Sequence, residues 1–197
     1  MHRQQSNTVF LWLLTVSGFC GISYEILYSR VLGNLIGDQM IVSASILMTF
    51  LLGIGIGTLF AYRLWRFLWL IEAIIGVCGL VFAFSTDYLN GLIFNLSGVI
   101  GTSIYASVAI CAFLLIVPAF CIGCSLPLFA GYLSRLTDQT VFSKAYMLYN
   151  FGAALTALMI EFYLVRKLGI AFTLVSIAAL NFFIAILQSL KLRLRIY

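Results

Sequence analysis

The 197 residues are 63% hydrophobic and only 9% charged, against roughly a quarter charged in an average soluble domain, which excludes a water-soluble fold of this size. The net charge of +5 comes without a basic patch interleaved with exposed aromatics, which speaks against nucleic acid as a partner. Apolar runs of about 20 residues suit a bilayer core of about 30 Å, and continuous runs rather than period-two alternation choose helices over a barrel. The fold class is therefore all-α: a polytopic membrane helical bundle forming one transmembrane domain over 1–197.

Six long spans are expected, at about 8–28, 41–62, 65–84, 102–122, 143–165 and 169–189. The first is expected to be retained, because its apolar run passes well beyond a short signal core and no A-x-A site follows. Pro118 and Pro127 bracket the end of the fourth span, predicting a kink or a separate short helix at 126–133. Residues 88–100 (YLNGLIFNLSGVI) are apolar but short and broken by Asn and Gly, so they read as an interfacial or re-entrant helix.

Charge placement orients the bundle. With the N-terminus inside, one side holds Arg3, Arg63, Arg66, Arg135, Lys144, Lys191, Arg193 and Arg195. The other holds Arg30, Arg166 and Lys167. The positive-inside rule then places both termini in the cytoplasm, with a bacterial inner membrane as the expected location. Five cysteines spread through apolar runs argue against a disulfide framework. The Cys121–Cys124 pair lacks the further ligands a zinc site wants, since His2 is the sole histidine. No catalytic residues, metal or cofactor are expected: no Ser-His-Asp set and no nucleotide loop is present.

Small residues recur at helical spacing. Gly53 and Gly57 sit one turn apart within LLGIGIGTLF and allow another helix to approach closely; Gly18 with Gly21, and Gly152 with Ala153 and Thr156, read the same way. The six carboxylates divide evenly. Asp38, Asp87 and Asp138 fall in loops, whereas Glu25, Glu72 and Glu161 fall within or near spans, where ionisable groups face a bundle interior, a partner or water. Glu25 and Glu161 lie at one depth, and each precedes a cation by five residues, Arg30 and Arg166. Five residues subtend about 140° on a helix, so pairing within one helix is poor. Pairing across the two spans is more natural, as is a shared outward-facing acidic pocket. Glu25 awaits a partner, with Arg166 or Lys167 the first candidates, and Glu72 lies within reach of Arg66 or Arg63. The set Glu25, Arg30, Glu72, Glu161 and Arg166 is the candidate cation or ion-pair site.

The stretch SGFCGISYEILYSRVLG resembles the opening of the N-terminal transmembrane domain of membrane-bound spermidine synthase-like proteins, the major-facilitator/spermidine-synthase fusions. The resemblance runs on through Phe50, Gly53 and Gly57, through Glu72-Ala73 ahead of an Ile-Gly pair, and through Pro118, Gly123, Leu126 and Pro127, where the family has a P…MG-x-x-LP pattern. It ends at Tyr146, Gly152, Ala153 and Leu168-Gly169. Tyr28 stands where the family commonly has Trp, Tyr149 where it often has Asn, and Thr156 and Glu161 where it has small residues. Such proteins commonly continue into a soluble aminopropyltransferase-like domain; these 197 residues hold no such domain, so synthase activity is not carried over. The resemblance implies a membrane module related to polyamine-type proteins.

Two functions are expected from this reading. The first is a non-enzymatic membrane scaffold or partner subunit, working with other membrane subunits or a cytoplasmic enzyme. The second is a transporter or exporter of small cations such as polyamines, with Glu25, and with it Glu72 and Glu161, as counter-charges.

Overall fold

The structure, a computed structural model, describes residues 2–89, 91, 95, 104–134 and 141–193. The segment expected to be interfacial at 88–100 lies largely outside the described residues, as do Arg135, Asp138 and Arg195. Among the described residues no strand occurs, and six long helices carry the fold: α1 (His2–Ile36), α2 (Gln39–Phe60), α3 (Leu68–Phe84), α4 (Ile104–Ser134), α5 (Val141–Met159) and α6 (Val165–Arg193). Four stretches are long and apolar enough to cross a membrane: Val9–Ile36, Gln39–Arg63, Val108–Gly131 and Ser143–Leu190.

Each helix end has a local cause. Gly37 ends α1 at φ 85, and its amide bonds Gly33 O at 2.9 Å, a left-handed closure that glycine adopts without a Cβ penalty. Asp38 then caps α2, its carboxylate accepting from Ile41 N at 3.0 Å. Two 3₁₀ turns, Ala61–Arg63 and Trp65–Phe67, lead into α3. A five-residue π turn, Ile160–Leu164, joins α5 to α6, and Gly169 at φ 77 and ψ 171 then breaks the helix near the start of α6. The 48-residue stretch Ser143–Leu190 is thus two helical pieces meeting at Gly169.

Two expectations differ from this arrangement. The first span was expected to end near residue 28, but α1 runs on to Ile36. The charge of Arg30 does not stop it, because Glu161 meets that guanidinium across the bundle. No separate helix forms at 126–133: α4 passes through both Pro118 and Pro127. Proline at 127 leaves Gly123 O without its usual amide donor. Thr58 of α2 faces that oxygen at 3.4 Å, the kind of side-chain compensation that lets proline persist in membrane helices.

The helices pack in three principal pairs, α1 with α5, α2 with α4, and α3 with α6. Glycines bring the first two pairs into backbone contact. A Cβ on Gly18 would strike Tyr149 O and one on Gly152 would strike Thr15 O; Thr156 Oγ1 donates to Phe19 O at 2.9 Å beside them. A Cβ on Gly53 would meet the backbone at Ala119 and Phe120, one on Gly57 would strike Phe120 O, and one on Gly123 would strike Ile54. Cys124 Sγ donates to Gly57 O at 3.2 Å across the same crossing. Gly21 faces the Tyr149 hydroxyl and Ile122.

Those contacts fix helix direction. Thr15 and Phe19 meet Gly152 and Thr156, so α1 and α5 run parallel. Gly53 and Gly57 meet Ala119 and Cys124, so α2 and α4 run parallel. Glu72 meets Asn181 while Gly76 meets Ala178, so α3 and α6 run antiparallel. Replacing α1, α2, α3 by α4, α5, α6 reproduces the pattern: α1–α5 becomes α4–α2, α1–α2 becomes α4–α5, α1–α6 becomes α4–α3, and α3–α6 maps on itself. The neighbour pattern is thus unchanged when the two three-helix halves are exchanged, each helix taking the place of one that runs the opposite way.

The exterior is apolar. Phe113 is 83% exposed, Phe172 72% and Phe151 62%, a surface suited to lipid and untenable in water.

Candidate functional site

Polar groups gather at two places. The first is the centre of the bundle. Glu72 of α3 is fully buried, in a fold whose other described buried polar residues are neutral. Most buried serines and threonines bond the carbonyl one turn back, as Ser23 does with Phe19 O and Thr49 with Ser45 O, which hides a hydroxyl in an apolar helix at little cost. Ser17 and Ser125 reach outside their own helices: both aim at Glu72 Oε1, at 2.7 and 3.1 Å, while Ser125 keeps Cys121 O at 3.4 Å. Asn181 Nδ2 donates to Oε2 at 2.7 Å, and Asn181 Oδ1 accepts from the Tyr24 hydroxyl at 3.1 Å. Four helices therefore supply this centre, α1, α3, α4 and α6, two from each half.

The partners found for the Glu72 carboxylate are neutral donors, not the Arg66 or Arg63 that proximity in sequence suggested. Helix α3 turns Glu72 inward, onto α1, α4 and α6. Tyr24, Tyr28 and Phe82 extend the packing on one side, with Tyr24 and Tyr28 stacked at 5.5 Å and Tyr28 against Phe82 at 4.2 Å.

The second place is a cleft of about 600 Å³ bounded by α1, α2 and the π turn. Glu25, Ser29, Arg30, Asn34, Gln39, Ser43 and Glu161 line it, with Ile26, Ile46 and Leu47 as its apolar wall. Arg30 grips Glu161 with both arms of its guanidinium, Nε to Oε1 at 2.9 Å and Nη2 to Oε2, the fork geometry that fits a carboxylate best. Ser29 and Ser43 share a hydrogen bond of 2.8 Å. Glu25 is half-buried on the same wall and takes no hydrogen bond or ion pair from the described residues. Arg166, a sequence candidate for its partner, instead lies over the Phe162 ring, 6.0 Å from the centroid. The structure thus brings Glu25, Arg30 and Glu161 together, and places Glu72 and Arg166 elsewhere. Glu161 sits on the π turn, and such bulges re-aim side chains within a helix.

The sequence reading did not single out Ser17, Tyr24, Ser125 and Asn181 at the centre, nor Ser29, Asn34, Gln39 and Ser43 in the cleft. Neutral polar residues in apolar runs carry little signal singly. Their common signal is convergence, which only the folded chain supplies.

One buried group stands apart. Gln188, two turns beyond Asn181 on α6, is buried, and neither Nε2 nor Oε1 has a hydrogen-bond partner among the described residues. A buried unpaired amide costs about 1–3 kcal/mol, so Gln188→Leu is expected to raise thermal stability in detergent. A clear loss of stability would show that the amide is bonded in the folded protein.

Among the described residues no three His, Cys, Asp or Glu side chains gather to hold a metal ion. Compared with protein-family models, curated proteins and solved structures, the chain matches none. Its functional reading rests on its own geometry.

Proposed function

We propose that this chain is a six-span membrane protein that binds a small organic cation in the cleft beside Glu25 and carries it across the bilayer. The observation that carries the reading is Glu25 itself: a carboxylate without a partner among the described residues, on the wall of a polar cleft of about 600 Å³, within the 300–1,000 Å³ typical of ligand sites. Arg30 neutralises Glu161, so the cleft keeps one net negative charge. It suits one ammonium group, with Asn34, Gln39 and Ser43 for its remaining donors and Ile26, Ile46 and Leu47 for an alkyl chain. A monoamine, or one end of a polyamine of the kind the family resemblance suggests, meets those demands.

The six-crossing count is supported by the break at Gly169 and by helix directions that alternate along the chain. The positive-inside rule puts the cleft at the outer face and both termini in the cytoplasm. The approximate inverted relation between the halves is an arrangement that many secondary transporters share.

The test is uptake of radiolabelled putrescine and spermidine into proteoliposomes containing the purified chain. Loss of a charge-assisted hydrogen bond is worth about 1.5–3 kcal/mol, so Glu25→Gln is expected to weaken uptake affinity roughly 10- to 100-fold. Uptake unchanged in that variant would overturn the site. No uptake at all, together with a stoichiometric partner retained in mild detergent, would favour the scaffold or partner-subunit reading instead.

A further inference from the structure

We propose that Glu72 is a proton-binding site, placed where the two inverted halves meet and built to hold its carboxyl in either protonation state. The proposal is independent of the cleft and stands whether or not Glu25 binds a cation.

The argument begins with the donors. Ser17, Ser125 and Asn181 all point hydrogens at the carboxylate, an arrangement that suits the ionised form. Yet the groups that face it are neutral. From α1 come the Cys20 thiol and the Tyr24 phenol, from α4 the Cys121 thiol and from α5 the Tyr149 phenol; α6 contributes Asn181. A lone carboxylate inside a membrane bundle is costly without a positive charge, and the smallest such charge is a proton.

The network already contains the alternative bonds that a proton requires. Ser125 Oγ lies 3.1 Å from Glu72 Oε1 and 3.4 Å from Cys121 O. A proton on Oε1 donates to Ser125 Oγ once that hydroxyl turns to Cys121 O, because a hydroxyl both donates and accepts. A proton on Oε2 is accommodated by turning the Asn181 amide. Its oxygen then accepts from Glu72 and its nitrogen donates to the Tyr24 hydroxyl, now 3.1 Å from Oδ1. The first switch leaves every buried group with a partner; the second turns the Tyr24 hydroxyl from donor to acceptor, so Oε1 is the better-served oxygen.

A metal ion fits less well. The Ser17 hydroxyl already gives its hydrogen to Glu72 Oε1 at 2.7 Å, and among the described residues no three His, Cys, Asp or Glu side chains gather to hold an ion. Neither described cavity is lined by Glu72.

The experiment is infrared difference spectroscopy of the full chain in lipid nanodiscs, titrated from alkaline to acid pH with and without sodium. A protonated-carboxyl C=O band is expected to appear on acidification, to vanish in Glu72→Gln and to persist in Glu25→Gln. The amide of Gln resembles the protonated acid in shape and bonding, so this variant is expected to fold. Should it fail to fold, Ser125→Ala serves, and is expected to move the band by removing one partner of the carboxyl. A band absent at every pH, or one present at every pH, would overturn the proposal. So would a band that sodium abolishes at fixed pH, which would make the site one for a metal ion.

Discussion

Gly57→Leu is expected to destabilise the folded protein by about 3 kcal/mol or more, the upper part of the range for overpacking. A Cβ there would strike Phe120 O, with Cys124 N and Gly123 C each 3.0 Å away. All three are backbone atoms and cannot rotate aside, so α2 must move off α4. That movement also breaks the bond from Cys124 Sγ to Gly57 O and separates Thr58 from the carbonyl that Pro127 leaves open. The internal control is Gly55→Leu. Gly55 has nothing within 4 Å of its would-be Cβ, and leucine improves helix propensity, so this variant is expected to be neutral or slightly stabilising. Thermal unfolding of the two variants in the same detergent is the measurement. Equal losses at 55 and 57 would mean that α2 does not meet α4 through this face.

Glu72→Ala is expected to cost about 2–5 kcal/mol, combining a cavity in the bundle centre with an unpaired Asn181 amide. The serines contribute less to that loss, because a helical Ser has the carbonyl one turn back as a substitute acceptor, and Ser125 already lies 3.4 Å from Cys121 O. Glu72→Gln retains the volume and, once both serine hydroxyls turn to the carbonyl one turn back, a partner for each buried group, and is expected to cost about 1 kcal/mol. Denaturation of the three proteins under one lipid or detergent condition checks the order. A Gln variant as unstable as the Ala variant would show that the negative charge itself, rather than shape and hydrogen bonding, holds the centre together.

The helical membrane class was legible from composition, and the residues that end helices were partly so. Gly169 is the first residue of the sixth expected span, and the spacing of Gly53 and Gly57 pointed to a close approach, which the structure places against α4. The charges were harder. Glu72 was visible as an acid within a span, but its neighbours in sequence misdirected the choice of partner. The residues that bond it lie 55, 53 and 109 positions away, and no local period connects such distances. Arg30 and its partner Glu161 are 131 residues apart, so only the shared depth of the first and fifth spans connected them in the sequence. The π turn was not legible at all: Ile160–Leu164 has the composition of the helices around it, and one extra residue per turn leaves no mark on an apolar run.

The pairing of α1 with α5 and of α2 with α4 has a consequence for how this chain is put together. Each of those helices finds its principal neighbour in the opposite half, so neither half encloses an interior of its own. The first three helices, made alone, would present their glycine faces to lipid and leave Glu72 without the Ser125 and Asn181 that complete its bonds. The halves are clasped, as two hands with interlaced fingers, rather than set side by side. Synthesis of α4, α5 and α6 must therefore be finished before α1 and α2 settle, and any working motion must slide or tilt helices within the clasp.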